Sequence, residues 1–101
     1  MAIIERGIQK IACGKWADSE EIGKRFDAVE MRAGFPPKKR YRALIGGHVW
    51  DTLIVERGWE SMAAMEGAYE KVMADPQWQA LMAEGSSIVE SIQIELYMPL
   101  E

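Results

Sequence analysis

Between Thr52 and Met73 the spacing of apolar residues changes once, and that single change limits the folds open to the chain. Thr52-Leu53-Ile54-Val55-Glu56-Arg57 belongs to a segment, Val49 to Arg57, that is apolar on both faces at Leu53-Ile54-Val55. That pattern predicts a strand buried from both sides. Gly58-Trp59-Glu60 follows, then Ser61, a suitable N-cap for a helix. Met62, Met65, Tyr69, Val72 and Met73 recur at helical spacing and form its predicted core-facing stripe. Asp75-Pro76 then interrupts, because Asp75 can cap a new helix and Pro76 suits a first helical position. The shorter helix, Pro76 to Ala83, presents Trp78, Leu81 and Met82 before Gly85. A buried strand running straight into amphipathic helices calls for a sheet with helices packed back onto it.

The remaining segments supply that sheet. Ile3 to Ala12 is a predicted strand with Ile4 and Ile8 on one face and Ile3 and Ile11 on the other; Glu5 and Gln9 share the second face. Gly7 marks a bulge or a close approach. Asp18 or Ser19 is a predicted cap for a first helix, with Ile22, Phe26, Val29 and Ala33 as its stripe. Gly34 and Pro36-Pro37 end it. Lys39 to Ile45 and Val49 to Arg57 form a hairpin about Gly46-Gly47. Ile88 to Met98 has the clearest period of two, with Ile88, Ile92, Ile94, Leu96 and Met98 on one face and Glu90 interrupting it.

The order is therefore β-α-β-β-α-β. It predicts an α+β, ferredoxin-like fold in which a four-stranded antiparallel sheet carries its helices on one face. At 101 residues the chain reads as one domain, 1–101. Its second sheet face stays bare and is not freely polar, so a homodimer formed through that face is expected.

A net charge of -4 argues against a general nucleic-acid binder. Lys38-Lys39-Arg40 with Arg42, the one basic cluster, reads as a solvated loop and edge strand. No apolar run approaches the ~20 residues that span a bilayer, so no membrane partner is expected. A lone Cys13 and an N-terminus without a signal-like pattern point to the cytoplasm.

Arg42-x-Leu44-x-Gly46-Gly47, Thr52-Leu53-Ile54-Val55-Glu56 and Trp59-Glu60-Ser61-Met62-Ala63 resemble the dimeric α/β-barrel superfamily, and within it the NIPSNAP-like proteins. Asp75-Pro76-x-Trp78-Gln79 is similar to that family's second-helix extension. The resemblance implies a homodimer with a central barrel and a cavity in each subunit between sheet and helices. Relatives include cofactor-free quinone-forming monooxygenases, heme-degrading oxygenases and isomerases. The heme-degrading relatives place a His on the second helix, whereas Ser61 to Ala74 contains none, so that role does not carry over.

His48 is the sole histidine; it reads as a solvated turn residue or as a general base at a pocket mouth. Arg42 and Trp50 read as a ligand-binding pair across the hairpin, the Arg for a carboxylate or enolate and the Trp for a flat ring. The alternative puts Trp50 in core or interface and Arg42 in a strand ion pair. Glu90 reads as a structural ion-pair member, with Arg6 or Arg42 as partner, or as a ligand-binding acid. No metal site is expected, because no second His or Cys stands at ligand spacing, and no cofactor is expected either. The leading functional reading is a pocket for a small aromatic or apolar molecule, with cofactor-free oxidation or isomerisation as its chemistry. The alternative is a non-catalytic ligand-binding or interaction module.

Overall fold

The computed structural model describes residues 2–47 and 50–100. Its elements run β1 (Ile3–Ile11), α1 (Trp16–Arg32), β2 (Lys39–Arg42), β3 (Thr52–Trp59), α2 (Met62–Met73), α3 (Pro76–Gly85) and β4 (Val89–Tyr97). The four strands form one antiparallel sheet in the order β2-β3-β1-β4. The sheet is open, with β2 and β4 as its edges. This is the α+β, ferredoxin-like arrangement that the apolar periods predict, with the Asp75-Pro76 break splitting the second helical segment in two.

Local signals account for most element ends. The Ser61 side chain accepts from the Ala64 amide at 3.1 Å, and Asp75 accepts from the Gln77 amide at 2.8 Å with Pro76 opening α3. Gly34, at φ 91°, takes the left-handed conformation that ends α1. Some expectations are corrected. Helix α1 begins at Trp16, two residues before Asp18, and no side chain caps it; Ser19 lies buried inside its first turn. The hairpin strands are shorter than their apolar runs, since β2 stops at Arg42 and β3 starts at Thr52. In α2, Met62 and Met73 face solvent, and Ala68 joins Met65 and Val72 in the core instead. A twelve-residue helix on a sheet buries a narrower arc than five apolar positions span.

Gly7 is not a bulge: β1 pairs with β3 without interruption through it. The irregularity lies between Lys10 and Ile11, opposite Val89 to Ser91 of β4. It shifts the parity of β4, so that Val89 packs against the core while Ile92 and Ile94 lie opposite Gln9 and Gly7. The core proper joins Ile22, Val29, Phe35, Trp59, Met65, Val72, Leu81 and Ile88 between sheet and helices. On the far side of the sheet Ile8 lies opposite Ile54, and Arg6 pairs with Glu56 at 2.7 Å.

Candidate functional site

A cavity of about 490 Å³ lies between the helix-facing side of the sheet and helices α1 and α3. Its floor comes from alternate strand positions: Glu5, Gly7 and Gln9 of β1, Leu53, Val55 and Arg57 of β3, Arg40 of β2 with Lys38 just before it, and Ile92 and Ile94 of β4. Ile22, Gly23, Phe26 and Glu30 of α1 and Trp78 and Met82 of α3 form the roof. Phe26 and Trp78 meet edge to face, with ring centroids 6.2 Å apart. Gly7 contributes room rather than conformational freedom. A Cβ there would meet only ordinary contacts, 3.6 Å from Ile94 Cδ1 and 3.9 Å from the Val55 carbonyl.

One end of this largely apolar cavity is ionic. Glu5 and Arg57 are partners in register on β1 and β3, and both are buried. The Glu5 carboxylate accepts from Trp59 Nε1 at 2.9 Å and from the Tyr69 hydroxyl, and it lies 3.7 Å from Arg57 Nε. Arg57 Nη2 donates to Glu30 at 3.1 Å, and Lys38 Nζ bridges Glu30 at 3.1 Å and Asp27 at 2.9 Å. Phe35 lies against Trp59, Tyr69 and the Arg57 guanidinium and helps bury the pair. Desolvation of a carboxylate and a guanidinium is tolerable here because the charges meet and the carboxylate also accepts two hydrogen bonds. Burial, and next the hydrogen bond to Glu5, push the Tyr69 phenol above its ordinary value, so it stays a neutral donor. Two buried nitrogens of cavity-lining residues have no acceptor among the described residues: Arg57 Nη1 and Trp78 Nε1.

The residues nominated from sequence occupy different places. His48 lies outside the described residues. Arg42 and Trp50 do come together, Arg42 Nε donating to the Trp50 carbonyl at 3.0 Å, but at the β2 edge and apart from this cavity. Trp50 is 67% exposed, and the Arg42 guanidinium stacks on Trp16 instead, 4.2 Å from its ring centre. Glu90 lines the β4 end of the cavity and pairs with Lys10 at 3.4 Å, not with Arg6 or Arg42. The bulge in the β1–β4 pairing turns it toward that neighbour. Among the described residues no group of three or more His, Cys, Asp and Glu side chains is placed to hold a metal ion, and no helix is long and apolar enough to cross a membrane.

Nothing in the sequence assigns Glu5, Tyr69, Arg57, Glu30 or Arg40 to a site; Tyr69 reads there as core stripe and Arg40 as part of a solvated basic cluster. Two of them carried a signal: Glu5 shares its strand parity with Ile3 and Ile11, and Arg57 shares its own with Leu53 and Val55. A charge in phase with a buried apolar face requires a partner. The partner could not be named, because it stands 52 positions away and depends on the strand register.

No family model matches the chain, and no curated protein matches it. Solved structures do. A NIPSNAP family protein from Agrobacterium tumefaciens aligns with a TM-score of 0.85 at 21% identity, over 100% of this chain and 95% of that one. A NIPSNAP-like domain protein from Burkholderia xenovorans aligns at 0.82 and 15%, over 98% and 85%. SnoaB, a cofactor-independent oxygenase from Streptomyces nogalater, aligns at 0.74 and 14%, over 99% and 94%. The chain therefore has the fold of NIPSNAP family proteins and of SnoaB, as the resemblance in its motifs implies.

Proposed function

We propose that this chain binds a small, flat, largely apolar molecule in the cavity between sheet and helices. The carrying observation is the space itself, about 490 Å³ walled by Phe26, Leu53, Val55, Trp78, Ile92 and Ile94 and ionic at one end. That combination of apolar walls and a few placed polar groups is what small-molecule sites have in common. The finer reading is cofactor-free oxidation or isomerisation in a cytoplasmic homodimer whose 101 residues form one domain. Support for the chemistry comes from SnoaB, a cofactor-independent oxygenase of the same fold. His48 is then the base to test and Glu90 a ligand contact, whereas Arg42 and Trp50, nominated as anion partner and ring contact, lie apart from this cavity.

One observation favours the second reading, a non-catalytic binding module. Glu5, the buried carboxylate of the cavity, already accepts from Trp59 and Tyr69 and pairs with Arg57, the surroundings of a structural ion-pair member rather than of a free base.

Titration calorimetry with 2-naphthamide tests the site. Wild type binds this neutral probe, and Gly7→Leu, whose side chain grows into the cavity, loses binding while keeping or raising its melting temperature. Binding that survives Gly7→Leu places the ligand elsewhere. For the chemistry, oxygen uptake with a phenolic or quinol substrate is abolished in His48→Ala at an unchanged melting temperature. Unaltered turnover removes His48 from the reaction.

A further inference from the structure

The polar groups left over around the cavity are not evenly divided between donors and acceptors. Three cations line it, and two are paired: Lys38 with Asp27 and Glu30, and Arg57 with Glu30 and Glu5. Arg40 has no carboxylate within 4.0 Å among the described residues. Its guanidinium lies against α1 at Gly23. A Cβ built on Gly23 would stand 3.0 Å from Nη1, 3.2 Å from Cζ and 3.3 Å from Nη2. Three atoms at nearly one distance describe a fork lying face-on against the helix, at a position where any side chain would crowd it.

The acids that line the cavity pair with other cations, Glu5 and Glu30 with Arg57 and Lys38, and Glu90 with Lys10. Arg57 Nη1 and Trp78 Nε1 add two buried donors without acceptors. Arg40 lies opposite Val55, so it stands diagonally across β2 and β3 from Arg57 on the same sheet face. A guanidinium is charged at every accessible pH and is best satisfied by a planar, two-oxygen anion.

Resting on the binding reading above, we infer that the ligand is an aromatic carboxylate, its ring in the apolar part of the cavity and its carboxylate on Arg40, which Gly23 seats. The roles are separable. Arg40 supplies the charge, and Gly23 supplies the space that holds the charge at the cavity wall. Adding a methyl at Gly23 displaces the tip of a flexible side chain rather than backbone, so it alters the anchor with little effect on the fold.

The test compares 2-naphthoate with 2-naphthamide, two probes of nearly one shape that differ in charge, by titration calorimetry. Wild type prefers the naphthoate by about tenfold or more, the worth of a charge-assisted contact. Arg40→Met erases that preference while leaving naphthamide affinity within about twofold, and Gly23→Ala and Arg40→Lys each retain part of it. Preserved naphthamide binding shows that each variant keeps its cavity. Absence of the preference in wild type, or its survival in Arg40→Met, overturns the anchor and leaves the cavity reading intact. Failure of wild type to bind either probe overturns both.

Discussion

Glu5 is the residue on which the buried end of the cavity depends. Three donors converge on it, and Tyr69 donates to it from α2, tying helix to sheet. Tyr69→Phe removes one donor from a buried carboxylate and should cost on the order of 1–2 kcal/mol in urea unfolding. That cost depends on pH in a definite direction. The Tyr69 phenol is raised, by burial and then by the Glu5 hydrogen bond, above the ordinary 10.0 that it regains on unfolding. The folded state then holds its proton where the unfolded state has lost it. This contribution is complete below pH 10.0 and is lost as pH climbs beyond that value toward the folded-state pKa. The stability gap between wild type and Tyr69→Phe should therefore shrink on alkaline titration. A gap that stays constant across that range would show that the phenol feels no such environment.

At the scale of elements, one pair of dipeptides sets the register of the central strands. Glu5-Arg6 on β1 meets Glu56-Arg57 on β3, so Glu5 faces Arg57 on the cavity side and Arg6 faces Glu56 on the other. A slip of one residue in one direction brings Glu5 opposite Glu56; in the other it brings Arg6 opposite Arg57. Both slips replace attraction with repulsion, and both also invert the apolar faces. Arg6 and Glu56 are half-exposed, so their pair contributes modestly. Arg6→Glu should destabilise by about 1 kcal/mol, and adding Glu56→Arg should recover most of it. An undiminished loss in the double variant would locate the effect outside the pair. These charges were visible in the sequence, as was the cap at Ser61. What could not be seen was that they meet, because two strands with apolar residues on both faces admit several registers.

For the whole molecule, the open sheet leaves two apolar surfaces uncovered. Ile4, Ile8, Tyr41 and Ile54 lie on the helix-free face around the Arg6–Glu56 pair, and Ile92, Ile94 and Leu96 stand 44–59% exposed on the edge strand β4. The proposed homodimer, formed through the helix-free face, would cover the first of these. The expected mass by light scattering at micromolar concentration is twice the 11.4 kDa of the chain. Ile8→Lys, opposite Ile54 at the centre of that face, should return it to the single-chain value. A wild-type mass of one chain would end the proposal.

Element type, order and most element boundaries follow from local chemistry, because apolar period, caps and prolines act over a few residues. So does the presence of in-phase charges at Glu5 and Arg57. Tertiary structure decided the rest. Strand pairing brought Glu5 to Arg57, a bulge opposite Val89 to Ser91 gave Glu90 to Lys10, and the helices stood far enough from the sheet to leave a cavity. Arg42 and Trp50 were nominated for their chemistry and found stacked or exposed at an edge. Arg40, two positions from Arg42, reads in sequence as part of a solvated basic cluster, and only the fold sets its guanidinium against Gly23 of a distant helix. The physical reason is common to all of these: a side chain's function depends on which groups share its space, and that is set by packing between segments far apart in the chain.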